Sequence, residues 1–392
     1  MKIGFLIEDA FSVGGVQRVT SVLANGLSEQ NEVSLICTRC KINEINRKIY
    51  NLREDIDIQI VDRLKNENLL IRCVRKILKE INKKTGIFNN VKSLNILTEI
   101  YFPKKFRKSI VEFININKYD VVIGVEGLQS ILLGCIAENL NSKVLGWQHN
   151  SYEAYLKNKG KYYWNLDVFF NEYINKLNDY VVLTKHDQEQ FLLEKNMNST
   201  VIFNPRSFTS NEKSSLNKKT FLAAGRFTYQ KGFDLLIESF NEFVKNNSDW
   251  NLVIVGEGEE RHKIENLISS YNLEDRVTID DFTENIKEYF MESSILLLAS
   301  RWEGMPMIVL ESLEMGVPVI SYDISAINGL VYDNVNGVIV DKFDTKKFAQ
   351  CMNEICTSKE KIKFYSQNCL EISNDFKLEK ILEDWNDILL RH

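Results

Sequence analysis

Short apolar runs recur along the chain, each cut off by glycine or polar residues and each followed by apolar positions at helical spacing. Lys2–Ile7 and Glu32–Cys37 are continuous runs without alternation, the pattern of parallel strands buried on both faces. Val19, Val22, Leu23 and Leu27 between them repeat as one face of a helix, so the chain opens with a strand–helix–strand unit. The same reading predicts strands at 119–125, Lys143–Trp147 and 179–184. Asn204-Pro205 and the polar segment 207–219 break the rhythm, which restarts with strands at Thr220–Ala224, 250–255, 277–279, 295–299, 319–321 and Gly337–Val340. Strand and helix alternate in both halves, which predicts two doubly wound α/β domains facing a central cleft. The boundaries fall at 1–204 and 205–375. A last helix, within about 376–392, carries Ile381, Leu382, Trp385 and Leu389 on an apolar face that suits either domain.

One stretch, 301–318, combines the strongest local signals. Gly304 and Pro306 mark a turn, and Pro306 fits a first helical position, where a missing N–H costs nothing. The helix runs to about Met315, Gly316 supplies a left-handed stop, and Pro318 precedes the next strand. Glu303 then lies at a helix N-terminus, where unpaired N–H groups receive anions or hydroxyl oxygens. Glu311 shares a face with Met307, Ile308 and Met315, and a carboxylate on an apolar stripe needs a partner.

Length and charge sharpen this picture. A chain of 392 residues is long enough for two cores, and no apolar run approaches the roughly 18 residues of a spanning helix. The opening residues meet acid too early for a secretory leader, and seven cysteines, an odd number, suit reduced thiols in the cytoplasm. The net charge of −5 hides an asymmetry: residues 63–108 hold 13 Lys/Arg against 3 Glu, a local balance of +10. Within them Leu70, Val74, Ile77, Leu78 and Ile81 repeat at helical spacing among Arg72, Arg75, Lys76, Lys79 and Lys83. That pattern fits a cationic helix lying on an anionic membrane surface, or an ordinary helix packed on the sheet with solvated lysines. No aromatic stacking platform accompanies the charge, which argues against nucleic acid. The lone Cys37-Thr-Arg-Cys40 has no second pair, and Asp55-Ile-Asp57 sits in a polar connector; neither is read as a metal site.

Candidate chemistry gathers at strand ends. Gly14-Gly15 after the first strand reads as a backbone cradle for phosphate or sugar, or as a plain tight turn. His149 and Asn150 follow the 143–147 strand, where open α/β sheets bind ligands. Arg226 and Lys231 flank a loop bounded by Gly225 and Gly232, a planar fork and a point charge suited to a diphosphate. With Glu311 available to accept both hydroxyls of a ribose, the combination reads as a nucleotide-sugar site.

These motifs resemble the family 4 retaining glycosyltransferases of the GT-B fold over nearly the whole chain. The resemblance rests on Gly14-Gly15-Val-Gln-Arg18, His149-Asn150, Asn204-Pro205, Gly225-Arg226…Lys231-Gly232, Val255-Gly-Glu-Gly258 and Glu303-Gly-Met-Pro…Glu311. It implies that Arg226 and Lys231 hold the donor diphosphate with Gly225 and Gly256 nearby, that Glu311 binds the ribose, and that Glu303 binds a donor-sugar hydroxyl. The backbone at Gly304, Met305, Pro306 and Met307 would face sugar and phosphates, although Pro306 cannot donate. Gly14, Gly15, His149 and Asn150 would meet the acceptor, with Gly15 also reaching the diphosphate and His149 the reacting sugar. Arg226, Lys231, Glu303 and His149 form the implied catalytic set. The last helix would cross back to the N-terminal domain. The implied activity is transfer of a hexose or N-acetylhexosamine from a nucleotide sugar, expected to be UDP-linked, without metal or cofactor. A lipid-linked glycan or surface polysaccharide would accept it, at the inner face of the cell membrane. A nucleotide-sugar epimerase of the same fold and a silent donor-binding scaffold subunit are the alternatives. Gln17 stands where many members carry Glu, Asp323–Asn328 replaces a Gly-Pro-x-Glu segment, and Asp280-Asp281-Phe replaces a Gly-Phe turn.

Overall fold

The computed structural model describes residues 1–61, 68–247 and 249–391. The chain divides into two units, Met1–Phe203 joined by the terminal helix Leu378–Leu390, and Asn204–Lys377.

The first unit is built on seven strands: β1 (Lys2–Ile7), β2 (Glu32–Cys37), β3 (Asp57–Ile60), β4 (Val121–Val125), β5 (Lys143–Trp147), β6 (Asp179–Val182) and β7 (Thr200–Val201). They pair in parallel in the order β3-β2-β1-β4-β5-β6-β7. Helices cover both faces, so β1 and β4 are buried almost throughout, which is why they read as unbroken apolar runs. The terminal helix packs here: Leu382 lies against Gly26 of the Gly15–Leu27 helix, and the Trp385 ring meets Trp147 edge-on at 5.1 Å. Of the two placements its apolar face allowed, the one on the first unit is observed.

The second unit has β8 (Thr220–Ala224), β9 (Asn251–Val255), β10 (Val277–Asp280), β11 (Ile295–Leu298), β12 (Val319–Tyr322) and β13 (Gly337–Val340). These are parallel in the order β10-β9-β8-β11-β12-β13. Each sheet winds outward in one direction and then in the other, so β1/β4 and β8/β11 are the switch points where an open α/β sheet leaves a crevice at its carboxyl edge.

Three expectations need correction. β3 and β7 are strands that the sequence pattern did not reveal, because one is half-exposed on the sheet edge and the other spans two residues. Asp57 therefore opens a strand rather than lying in a connector, while Asp55 is paired with the Arg53 guanidinium. The Leu69–Thr85 helix does not pack through its apolar stripe: Leu70, Val74, Ile77 and Ile81 are exposed, and Asn82 is the residue buried beneath it. The first part of the basic region, 63–67, lies outside the described residues.

Candidate active site

In the second unit, loops leaving β8, β9 and β11 meet at the switch point. Gly225 N donates to Val255 O (3.0 Å), Phe227 N to Glu257 O (2.7 Å), and Gly256 N to Asp280 O (2.9 Å). The backbones approach so closely that a Cβ on Gly256 would sit 2.0 Å from Gly225 O. Gly232, at φ 66°, likewise passes within 2.1 Å of Ala299 O when a Cβ is placed on it. Both positions therefore require glycine. Arg301 staples the loops together. Its guanidinium donates twice to Asp234 (2.9 Å each) and once to Tyr229 O (2.7 Å), and it stacks 3.9 Å over the Tyr229 ring. Burial pushes the Asp234 carboxyl up, but Arg301 outweighs it and holds the carboxyl below its usual range.

Bringing these loops together joins Lys231 and Glu303. Lys231 Nζ donates to Glu303 Oε1 at 2.6 Å, Ser300 Oγ donates to the same oxygen at 2.7 Å, and Gln230 Nε2 lies 3.5 Å from the other. Glu303 is buried and Lys231 half-buried. Two side chains expected to meet different parts of a donor thus hold each other. Arg226 is exposed, and among the described residues no side chain pairs with it.

The helix Met307–Met315 opens one residue later than the sequence reading had it. Pro306 caps it at φ −71° and ψ 108°, and Glu303 precedes it by four residues instead of standing at its first turn. Gly316 ends it at φ 68°. Gly304, Met305 and Pro306 are buried and Met307 half-buried. Glu311 is buried on this helix, and its partner is Ser207, whose hydroxyl donates to Oε1 at 2.5 Å. One turn on, Glu314 is held by Arg206, by Ser373 Oγ (3.0 Å), by Ser210 N (2.8 Å) and by Lys213 Nζ (2.6 Å). Burial raises the Glu314 carboxyl, yet Lys213, the Ser210 amide and Arg206 together bring it below its ordinary value. The 206–214 strap is thereby fixed along the helix that carries Glu311.

The remaining predicted residues lie in the first unit. Gly14 caps the Gly15–Leu27 helix and donates its N–H to Tyr50 Oη at 2.7 Å, while Gly15 is exposed. Gln17 Nε2 donates to Asp9 O (3.1 Å), tying helix to loop. His149 packs its ring 4.2 Å from that of Trp147. The residue is half-exposed, but its Nε2 is sealed from water and has no hydrogen-bond partner among the described residues, and this burial pushes the imidazole down to about 3. His149 is therefore neutral at physiological pH. Asn150 Nδ2 donates to Tyr162 Oη (2.8 Å). A cavity of about 600 Å³ at the carboxyl ends of β1, β2 and β4 is lined by Glu8, Asp9, Gln17, Arg39, Arg72 and Glu126, among others. Glu126 holds φ 70°, an unfavourable backbone for a non-glycine residue and one concentrated at functional sites. Burial pushes the thiol of Cys37 up to about 12 and that of Cys40 to about 11, so both are protonated and unreactive at neutral pH.

Sequence reasoning gave no role to Ser207, Gln230, Ser300, Arg301 or Glu126. Arg301 opens the 301–318 stretch and Ser300 directly precedes it, but their partners are supplied by the fold; Glu126 is visible in the sequence only as a polar residue directly after an apolar strand.

Residues 206–369 match the family model described as glycosyl transferases group 1. Over 99% of both chains, the sequence is 28% identical to an uncharacterized glycosyltransferase of Haemophilus influenzae. It is 27% identical, over 99% of both, to the amylovoran biosynthesis glycosyltransferase AmsD of Erwinia amylovora. A Campylobacter jejuni α-1,4-N-acetyl-D-galactosaminyltransferase, named for a diNAcBac-PP-undecaprenol-linked substrate, is 26% identical over 98% of this chain and 97% of its own. The fold is similar to S. aureus TarM, in a crystal structure with fondaparinux, α-GlcNAc-glycerol and UDP, at a TM-score of 0.78 with 15% identity and full coverage of both chains. The chain has the GT-B fold, two Rossmann-like units, and these similarities support the glycosyltransferase superfamily.

Proposed function

We propose that the protein is a family 4 retaining glycosyltransferase that moves a hexose or N-acetylhexosamine from a UDP-sugar to a lipid-linked glycan or surface-polysaccharide acceptor. The reading puts it peripherally at the inner face of the cell membrane. The observation that carries it is the Lys231–Glu303 pair at the β8/β11 switch point, with Glu311 buried on the helix that follows. All three lie inside the segment matched by the group 1 family. The relatives' names, with a polysaccharide in one and an undecaprenol-linked glycan in another, favour the acceptor class.

The chain's own residues suffice for the chemistry. Glu311 accepts the ribose hydroxyls, its carboxylate exchanging a bond to Ser207 for bonds to the donor. Arg226 and Lys231 take the diphosphate, one as a fork and one as a point charge, and neutralise it as it departs without metal. When Lys231 turns to phosphate, Glu303 gains a free oxygen for a donor-sugar hydroxyl. The acceptor oxygen bonds to the anomeric carbon on the face the phosphate leaves, and the departing phosphate oxygen takes the acceptor proton, so configuration is kept and no side-chain nucleophile is used. His149, neutral, contributes shape and a hydrogen bond rather than an acid.

The test is nucleotide release from UDP-, GDP-, TDP- and ADP-sugars in EDTA, with and without undecaprenol-linked glycan, for wild type and Glu311→Ala. Turnover of one donor that persists in EDTA and collapses in the variant supports the reading. If no nucleotide binds, it fails.

A further inference from the structure

The Leu69–Thr85 helix is mounted with its apolar side outward. Arg72, Arg75, Lys79 and Asn82 recur at intervals of three and four and turn toward the protein. Asn82 Nδ2 donates to Asn165 O (2.8 Å), its Oδ1 accepts from Phe88 N (2.9 Å), and Lys79 Nζ lies 4.4 Å from the centre of the Tyr101 ring. Arg72 lines the cavity at the ends of β1, β2 and β4. The opposite stripe is Leu70, Val74, Ile77 and Ile81, which are 72%, 54%, 58% and 41% exposed, and Ile87 and Val91 extend it at 60% and 73%. A helix that hydrogen-bonds inward and leaves its isoleucines in water lacks the burial that ordinarily stabilises an amphipathic helix. A contiguous exposed apolar face of this kind marks an interaction surface.

We infer that this face lies on an anionic lipid bilayer, with the helix axis in the plane of the interface. Lys84 is exposed beside the stripe, and Lys76 and Lys83 are exposed on the far flank of the same helix, where they add positive charge within reach of the surface potential. From residue 68 to residue 108 the chain carries eleven Lys/Arg and two Glu, against an acidic remainder. Charge complementarity thus selects a negative partner. A second copy meets this face poorly, because two-fold pairing would set two regions of the same sign against each other. At 17 residues the helix is about 25 Å long, and no described helix is long and apolar enough to cross a membrane, so it lies on the surface rather than spanning it. None of its residues belongs to the proposed donor site, so docking and sugar transfer can fail separately.

The experiment is sedimentation of the full chain with vesicles of phosphatidylcholine alone or with 30% phosphatidylglycerol, at low and high salt. Binding is expected only to the anionic vesicles and weakens with salt. Val74→Ser with Ile77→Ser should weaken it about tenfold or more. Lys76→Gln, Lys83→Gln and Lys84→Gln together should weaken it on the order of a hundredfold. All five positions are exposed, so thermal melting should be unchanged, which separates lost docking from lost fold. Exposed Cys73 beside the stripe, labelled with a polarity-sensitive fluorophore, should shift to the blue on anionic vesicles only. Equal binding to neutral vesicles, or none to either, overturns the inference. So does a concentration-dependent dimer that Val74→Ser with Ile77→Ser dissolves, since it would assign the face to a second copy.

Discussion

Glu303 and Glu311 are both buried carboxylates, but one has a cation for partner and the other a hydroxyl. The difference sets what each substitution does. Glu311→Gln keeps the shape and one acceptor oxygen, so the fold should survive. If Glu311 holds the donor ribose as proposed, losing that charged hydrogen bond, worth about 1.5–3 kcal/mol, should raise the donor KM about 10- to 100-fold. Steady-state kinetics with varied donor would show it, and an unchanged KM would remove Glu311 from the ribose site. Ser207→Ala should have a milder effect on the same parameter, because the carboxylate stays in place and loses one hydrogen bond from a hydroxyl. His149 makes a prediction of opposite kind. Its folded value is depressed below the unfolded one, so the unfolded chain binds the extra proton between about 3 and 6.5. Its contribution to stability is therefore full above about 6.5 and lost as pH falls toward 3. Melting of His149→Asn across that window should fall less steeply than wild type; parallel slopes would show that the imidazole titrates normally.

At the scale of elements, the Met307–Met315 helix is held by a buried ion cluster rather than by its cap. Removing Arg206 would leave Glu314 buried with Lys213 as its one charge partner among the described residues, so Arg206→Ala should cost about 3–5 kcal/mol in urea unfolding. Lys213→Ala, at a half-exposed site, should cost about 1 kcal/mol or less. Because the Glu314 carboxyl is depressed on folding, the cluster stabilises above the unfolded value and loses its contribution as pH falls through the folded one. Arg206→Met with Glu314→Leu should recover most of the loss, since an apolar pair leaves no charge stranded. The same helix shows what was legible beforehand. Its glycine stop and the strands on either side follow from local spacing and turn chemistry, which need no knowledge of distant residues, and its start follows to within one residue. Ser207 and Arg206 are 104 and 108 positions from their carboxylates, and Arg301 is 67 from Asp234. No periodicity carries such pairs. The cationic helix was legible as amphipathic, but which side faced inward depended on Asn165 and Tyr101, residues of other elements.

The whole molecule has one long-range closure that its topology imposes. The chain leaves the first unit at Phe203, builds the second, and returns to supply Leu378–Leu390, whose Trp385 is fully buried against Trp147. The first unit therefore depends on residues that follow the whole of the second in the chain, whereas the Asn204–Lys377 sheet is complete without them. Trp385→Ala should leave a large cavity and cost the first unit about 3–5 kcal/mol. For a unit of this size that amounts to a drop of about 10 °C in its melting temperature. If Glu311 and the Arg226–Lys231 loop bind UDP as proposed, the nucleotide should instead raise the transition of the second unit by mass action. Calorimetry of wild type and Trp385→Ala, each with and without UDP, separates the two effects. Two transitions, one lowered by the substitution and the other raised by the nucleotide, mean that the donor site stands on a scaffold indifferent to the terminal helix. A single transition moved by both means that the units unfold together, and the proposed donor site then depends on the Leu378–Leu390 helix of the other unit.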